Sequence, residues 1–412
     1  MFILIALSLL FGFVGYTKHR RIDNPLTIFS ALWSGVFFLY ALNLRGYFEI
    51  STHTWIVLLC QTLGFSFGCF FRDSVRISVK RKKQKVELFR PAVYVMCGIT
   101  IASLFSEVVN ILGHLSSGLT YFDIAHRGLS NENAATGIKV FINIFITFPT
   151  TMGISAITAS ELFGGKKCKL LVALNIIIVA MYALQHGGRN IVLNLVFSYL
   201  FAYINSNRHS KLTKKQKRWV VVLCVLGIVF AVVLSAARGI ENLGMSLYHY
   251  FACCIPHLDQ WIPQIQSSGE YTYGFTSLNG FISPVFILLR GIGLIRSTPE
   301  LYQLANNYIG AVEKVTSIGY GVSTNAFVSL SYAFYADGGV LFVLFGNAVF
   351  GYLCSNQYRK MRSRKDVKST ALYLLLIVTI CMSFIRFQFC QYFYAMALVM
   401  INLIYRREKV KK

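Results

Sequence analysis

Long apolar runs separated by short polar connections set the pattern of this chain. Spanning the hydrocarbon core of a bilayer takes about 20 apolar residues, down to roughly 17 for a short helix. Runs of that kind occur at 1–17, 25–44, 55–71, 91–113, 138–162, 170–186, 190–206, 219–237, 326–354, 370–386 and 388–405. The pattern therefore predicts an all-α polytopic membrane protein with about 11 transmembrane helices. The run MFILIALSLLFGFVGYT has its basic residues behind it, at Lys18, Arg20 and Arg21, which predicts a retained first helix and not a cleaved signal peptide.

Charge orients these helices. The connections 72–90, 164–169, 207–218 and 357–368, the tail 405–412 and KHRR at 18–21 together hold 31 of the 40 Lys and Arg residues. All fall on one side if each run is a single pass, so the positive-inside rule places the N-terminus outside and the C-terminus in the cytoplasm. The basic loops at 164–169 and 207–218 then require an even number of passes between them. Residues 170–206 become a helical hairpin with HGGRN at its external tip. Each arm of about 16 residues is ~24 Å long at 1.5 Å per residue, which leaves the tip recessed. Gly187 and Gly188 permit the turn. Arg189, set between them and an apolar arm, is expected to face an outward-opening cavity because a charge facing lipid is costly.

The whole of 1–412 reads as a single integral membrane domain, with 238–325 as a large external loop. Within that loop LNGFISPVFILLRGIGLI (278–295) is interrupted by Pro284 and Arg290 and is read as an interfacial or re-entrant segment. Composition agrees with a membrane class: 55% of the 412 residues are hydrophobic and 14% charged, against about a quarter charged in soluble domains. The net charge of +24 is then cytoplasmic-loop charge. No basic stripe interleaved with aromatics points to nucleic acid. The ten cysteines have neither zinc-ligand nor disulfide-framework spacing. No Walker-type loop, acidic metal pair or Ser-His-Asp order is present, so no metal and no cofactor is expected.

Nine Lys and Arg residues remain for the outer side, and seven of them are arginine. Four sit where an apolar segment meets that side, in HGGR189N, AAR238GI, LLR290GI and FIR386FQF. Arginine suits bidentate binding of phosphate and keeps its charge when desolvated. Arg189, Arg238, Arg290 and Arg386 are thus candidates for gripping an anionic lipid diphosphate, with His186 and Arg127 beside them. Arg45, Arg296 and Lys139 read better as snorkelling anchors. Asp337, inside a membrane segment and followed by two glycines, is a candidate catalytic carboxylate; a structural pair with an external arginine or a helix-helix hydrogen bond is the equal alternative. In the loop, HYFACCIPHLDQWIP offers His249, His257 and Asp259, of which His257 is taken as a proton-transfer candidate. Glu270 and Tyr271 are weaker.

The stretches GGRNIVLNLVFSYLFAYI and TNAFVSLSYAFYADGGVLFVLFG, with the long outer loop before a late helix, resemble the Wzy-type O-antigen and capsular oligosaccharide repeat-unit polymerases of bacteria. The resemblance implies a GT-C-like membrane fold in the bacterial cytoplasmic (inner) membrane. It implies an inverting, metal-independent transfer at the outer face, from undecaprenyl pyrophosphate onto a new lipid-linked repeat unit. Arg189 matches the family's Gly-Arg arginine and Asp337 its late Asp-Gly aspartate; an Arg-x10-Gly pattern known in some members is absent. Expected partners are the undecaprenyl-pyrophosphate-linked oligosaccharide and membrane lipids, with a chain-length regulator and a flippase, and no nucleic acid. The alternatives are an O-antigen ligase, whose His-x-Ser/Asn loop motif is missing here, and a flippase or transporter of lipid-linked oligosaccharide. A flippase would need charges along a pathway, whereas these gather at one face.

Overall fold

The computed structural model describes residues 1–74, 86–116, 137–186, 190–206, 218 and 243–407. Among them, six helices are long and apolar enough to cross a membrane: α1 (Phe2–His19), α2 (Pro25–Leu42), α3 (Thr52–Ser74), α4 (Arg90–Ser116), α5 (Ile138–Phe163) and a long late helix, Ser331–Arg364. They coincide with six of the expected runs. Four more runs are shorter apolar helices: α6 (Lys169–His186), α7 (Asn190–Ser206), Val367–Cys381 and Tyr392–Ile404. The run 219–237 lies outside the described residues. The helical, apolar architecture is that of an all-α multi-pass membrane protein.

The chain divides into two compact units. The first comprises Met1–Lys80, Gly244–Ser363 and Thr379–Gln391. Its α1–α2 corner follows from local chemistry. Asn24 caps α2 by accepting the Thr27 N–H at 2.9 Å, and Pro25 at the first helical position has no N–H to waste. Arg21 and Asp23 form a buried two-pronged pair at 2.6 and 2.7 Å beside that cap. Four shorter helices follow in this unit: α8 (Leu243–Ala252), α9 (Cys254–Ser268), α10 (Asn279–Gly291) and α11 (Glu300–Ala311). A hairpin of β2 (Thr316–Gly319) and β3 (Val322–Thr324) leads to α12, the Ser331–Arg364 helix.

Helix α3 packs on α12 through glycines. The backbone of Gly64 meets that of Leu344, Gly68 that of Ala348, and Gly351 that of Phe65, so close that a Cβ at any of these glycines would overlap the facing helix. Small residues at this spacing let membrane helices approach where no hydrophobic effect drives them together. The opposite faces are apolar and exposed: Leu63, Phe67 and Phe71 on α3, and Leu341, Phe345, Val349 and Leu353 on α12. Polar Gln61, Thr62, Ser66 and Asn347 are buried instead. In water each exposed side chain would forgo about 1.5–3 kcal/mol of burial. The inverted pattern fits hydrocarbon as the solvent.

The second unit comprises Arg81–Leu243, Arg364–Val378 and Tyr392–Lys412. Helix α5 is its hub, nearly every residue of Phe148–Phe163 being buried. A π-turn at Asn143–Thr147 precedes Pro149, whose missing N–H and bulky ring disturb a regular α ladder. Polar side chains join the helices: Ser155 Oγ donates to Asn175 Oδ1 (3.0 Å), Asn175 Nδ2 to Tyr199 Oη (3.2 Å), and Asn194 Nδ2 to the Met152 carbonyl (2.9 Å). Short strands β1 (Val86–Leu88) and β4 (Tyr405–Arg407) pair antiparallel.

Two boundaries differ from expectation. The run 326–354 becomes helical only at Ser331, and Gly338 and Gly339 break α12 two turns later. The runs 370–386 and 388–405 are separated by a wider non-helical stretch, because helix α13 (Val367–Cys381) ends early and helix α14 (Tyr392–Ile404) begins late. The two non-helical segments meet each other. The backbone of 328–330 hydrogen-bonds that of 383–385: Val328 N to Ile385 O (2.7 Å), Ser329 N to Phe384 O (3.3 Å) and Leu330 N to Ser383 O (2.8 Å). Buried irregular backbone is tolerated when its polar groups are paired in this way.

Candidate functional site

Arg386 sits on the second of these paired segments, in the first unit. The expectation put it at the end of a helix; it lies instead in the non-helical connection before the short 3-10 turn Gln388–Cys390. Its side chain is 13% exposed and enters a small, mostly apolar crevice lined by Ile309, Val312, Tyr332, Phe387 and Cys390, with Thr276 on one wall. Nη1 lies 2.6 Å from Glu313 Oε1, and Nη2 donates to the Ala326 carbonyl at 3.4 Å. The segment that carries Arg386 is held from several sides. Trp33 Nε1 donates to Ser383 Oγ at 3.0 Å, and Gln61 Oε1 accepts from Ser329 Oγ (2.8 Å) and Ser331 Oγ (2.6 Å).

Asp337 is buried and reaches this crevice at one remove. Its Oδ1 accepts from Thr272 Oγ1 (2.6 Å) and from the backbone N–H of Thr276 (2.9 Å), and its Oδ2 from the Ser277 N–H (3.1 Å). The carboxylate thus ties the turn 272–277 to α12, and Thr276 in that turn lines the crevice. Gly339, at φ +67°, makes the sharp break that lets α12 present Asp337 to the turn.

His257 is likewise one step away. It is buried, with Nδ1 2.9 Å from the Phe327 carbonyl and Nε2 accepting from Trp261 Nε1 at 2.9 Å. Phe327 is the neighbour of Ala326, whose carbonyl takes the Arg386 hydrogen bond. Burial depresses the His257 pKa to about 4. Its ring nitrogens are both engaged, so in this arrangement it holds a backbone strand and has no lone pair free for a hydroxyl. Asp259 caps α3, accepting from the Ser51 N–H (3.0 Å), Ser51 Oγ (2.7 Å) and Thr54 Oγ1 (2.7 Å). His249 pairs with Tyr47 Oη at 3.0 Å.

Arg290 occupies the last turn of α10 and is exposed. That helix has 13 residues, too few to cross a bilayer. It shows Val285 and Leu288, with Ile292 just beyond, to the exterior, and buries Ser283 and Pro284. Arg290 is absent from the lining of the Arg386 crevice. Arg189, Arg238, Arg127 and the His186 side chain lie outside the described residues. The structure therefore places Arg386 in the crevice, ties Asp337 to its wall through Thr276 and His257 to it through the 326–327 backbone, and leaves Arg290 out of its lining. Sequence reading missed Glu313; the signal was available, since acidic residues number only 16 and this one lies away from the basic loops. Among the described residues no group of three His, Cys, Asp or Glu side chains could hold a metal ion.

No protein-family model matches the chain, and no solved structure matches it significantly. Among curated proteins, one named "Putative O-antigen polymerase" from Escherichia coli (strain K12) is 23% identical over 265 residues, 60% of this chain. The match spans 62% of that relative's length.

Proposed function

We propose that the protein is a membrane glycosyltransferase that polymerises lipid-linked oligosaccharide repeat units. In this reading the growing glycan moves from undecaprenyl pyrophosphate onto a new lipid-linked unit, by an inverting, metal-independent reaction at the outer face of the bacterial cytoplasmic membrane. The observation that carries it is Arg386, a rigidly mounted guanidinium in an apolar crevice. When the glycosidic bond breaks, charge grows on the departing diphosphate, and a fixed cation in a water-poor site stabilises it far better than one in bulk water. Asp337 and His257 are assigned as positioning residues for the crevice wall and the 326–328 strand. Arg189, Arg238 and Arg290, with His186 and Arg127, are kept as diphosphate- and glycan-binding residues on the sequence argument. The distant polymerase-named relative supports the substrate class. A chain-length regulator and a flippase are the partners this reading calls for.

Deletion in the native host, followed by a gel of surface polysaccharide, tests the reading. Single capped repeats are the expected result. Intact lipid-linked polymer without attached glycan would make the protein a ligase, and repeat units trapped inside the cell would make it a flippase. Arg386→Gln, inserted at normal levels, should reproduce the deletion; normal chain lengths in that variant would remove Arg386 from the reaction.

A further inference from the structure

Arg386 and Glu313 form an ion pair whose two members are held very differently. Arg386 stands on a segment fixed by the backbone bonds to 328–330 and by Trp33, and its side chain is 13% exposed. The Glu313 side chain is 49% exposed and follows the end of α11, in a turn closed by Glu313 N to Gly310 O at 3.2 Å. Its backbone carbonyl accepts from Asn325 Nδ2 at 3.3 Å, but among the described residues its carboxylate meets only Arg386. Contact is through one oxygen on one guanidinium nitrogen, so the fork of Arg386 is used in part.

A guanidinium in an apolar crevice needs a counter-charge, and here the chain supplies its own on a movable arm. A carboxylate, chloride or other monoanion from solution offers no more than Glu313 already gives, and it lacks the advantage of being tethered. A diphosphate group brings more charge and several oxygens that match the planar fork. Once it binds, its charge repels the Glu313 carboxylate, which is free to swing into solvent.

We infer that Glu313 is a displaceable counterion that sets the anion specificity of the Arg386 crevice, admitting a diphosphate ester and excluding monoanions. The inference rests on the polymerase reading only for the source of that diphosphate, since the chemistry belongs to the site itself.

The test uses the full chain in phosphatidylcholine nanodiscs and follows anion binding by thermal unfolding. Glu313→Gln should lower the melting temperature without added anion and bind inorganic pyrophosphate at least tenfold more tightly than the wild type. Acetate, without effect on the wild type, should stabilise the variant. Arg386→Gln and the double variant should respond to neither. Glu313→Asp, which keeps the charge on a shorter arm, should fall between and serves if Glu313→Gln is poorly folded. Farnesyl diphosphate binding more tightly than pyrophosphate supports the inference with a lipid source, and equal binding supports it with a free diphosphate. Unchanged or weaker pyrophosphate binding by Glu313→Gln and Glu313→Asp overturns it, as does continued inertness of acetate toward Glu313→Gln. These results are separate from the polymerase reading, which fails instead if cells carrying Arg386→Gln make normal polymer.

Discussion

The indole of Trp261 donates to Nε2 of His257, one helical turn away on the same helix, at 2.9 Å. This fixes the imidazole as the neutral Nδ1–H tautomer, whose N–H points at the Phe327 carbonyl 2.9 Å away. Protonation would force Nε2 to become a donor facing a donor. Burial holds the pKa at about 4, and the nearby Arg386 charge adds to the depression. Burial and Arg45 bring His249 to about 4 as well.

The sign of the pH dependence follows. An unfolded histidine titrates near 6.5, so between that value and about 4 only the unfolded chain takes up the extra proton. The histidines' contribution to stability is complete above pH 6.5 and is lost as pH falls toward 4. Thermal unfolding of the detergent-solubilised protein should give a lower midpoint at pH 4.5 than at pH 7, and His257→Gln should flatten that slope. Equal midpoints would contradict the neutral-histidine assignment. Trp261→Phe, which strands Nε2, is expected to cost roughly 1–3 kcal/mol at pH 7.

Asp337→Ala and Asp337→Asn separate positioning from chemistry. Alanine leaves the Thr276 and Ser277 N–H groups without their acceptor, while the Thr272 hydroxyl keeps the Ala336 carbonyl and Thr276 Oγ1 within reach. Each stranded donor costs about 1–3 kcal/mol, so this variant should be poorly folded. Asparagine retains one acceptor oxygen and should keep most of the stability and a substantial share of the polymer. Complete loss of polymer in a stably folded Asp337→Asn protein would instead assign the carboxylate to the reaction itself.

Gly68→Leu should prevent assembly, because its side chain would occupy the space of the Ala348 backbone. Gly35→Ala, on α2 with nothing within 4 Å of the new Cβ, should be neutral or gain up to about 1 kcal/mol from helix propensity. Size-exclusion profiles of the two variants in mild detergent decide the point: a monodisperse Gly68→Leu protein is the adverse outcome.

Arg189→Ala should abolish long-chain polysaccharide while the protein still inserts, and Arg189→Lys should lose most of it, because a point ammonium lacks the guanidinium fork. Full polymer length in the lysine variant would reduce Arg189 to a generic charge.

Much of the membrane architecture was legible because a lipid-facing helix needs only length and apolarity. The predicted runs coincide with the observed helices to within a few residues in most cases. The non-helical stretch 382–391 was hidden for a physical reason. Its residues MSFIRFQFCQ are as apolar as a helix, and at 383–385 their backbone pairs with 328–330, a long-range event. GFSFG on α3 carried its packing role in plain view but was read only as part of an apolar run. Asp337 was visible as an isolated acid, yet two of its three partners are backbone N–H groups that leave no trace in composition. Glu313 was passed over because a loop glutamate usually means a solvated surface.

The pairing of 328–330 with 383–385 also bears on biogenesis. Helix α3, with Gln61, enters the bilayer long before Ser329 and Ser331 are made, and those residues wait in turn for the strand that bears Arg386. The crevice around Arg386 is consequently closed only after residues 383–386 have been made. A nascent polypeptide arrested anywhere upstream of residue 383 would lack both Arg386 and the backbone partner of 328–330.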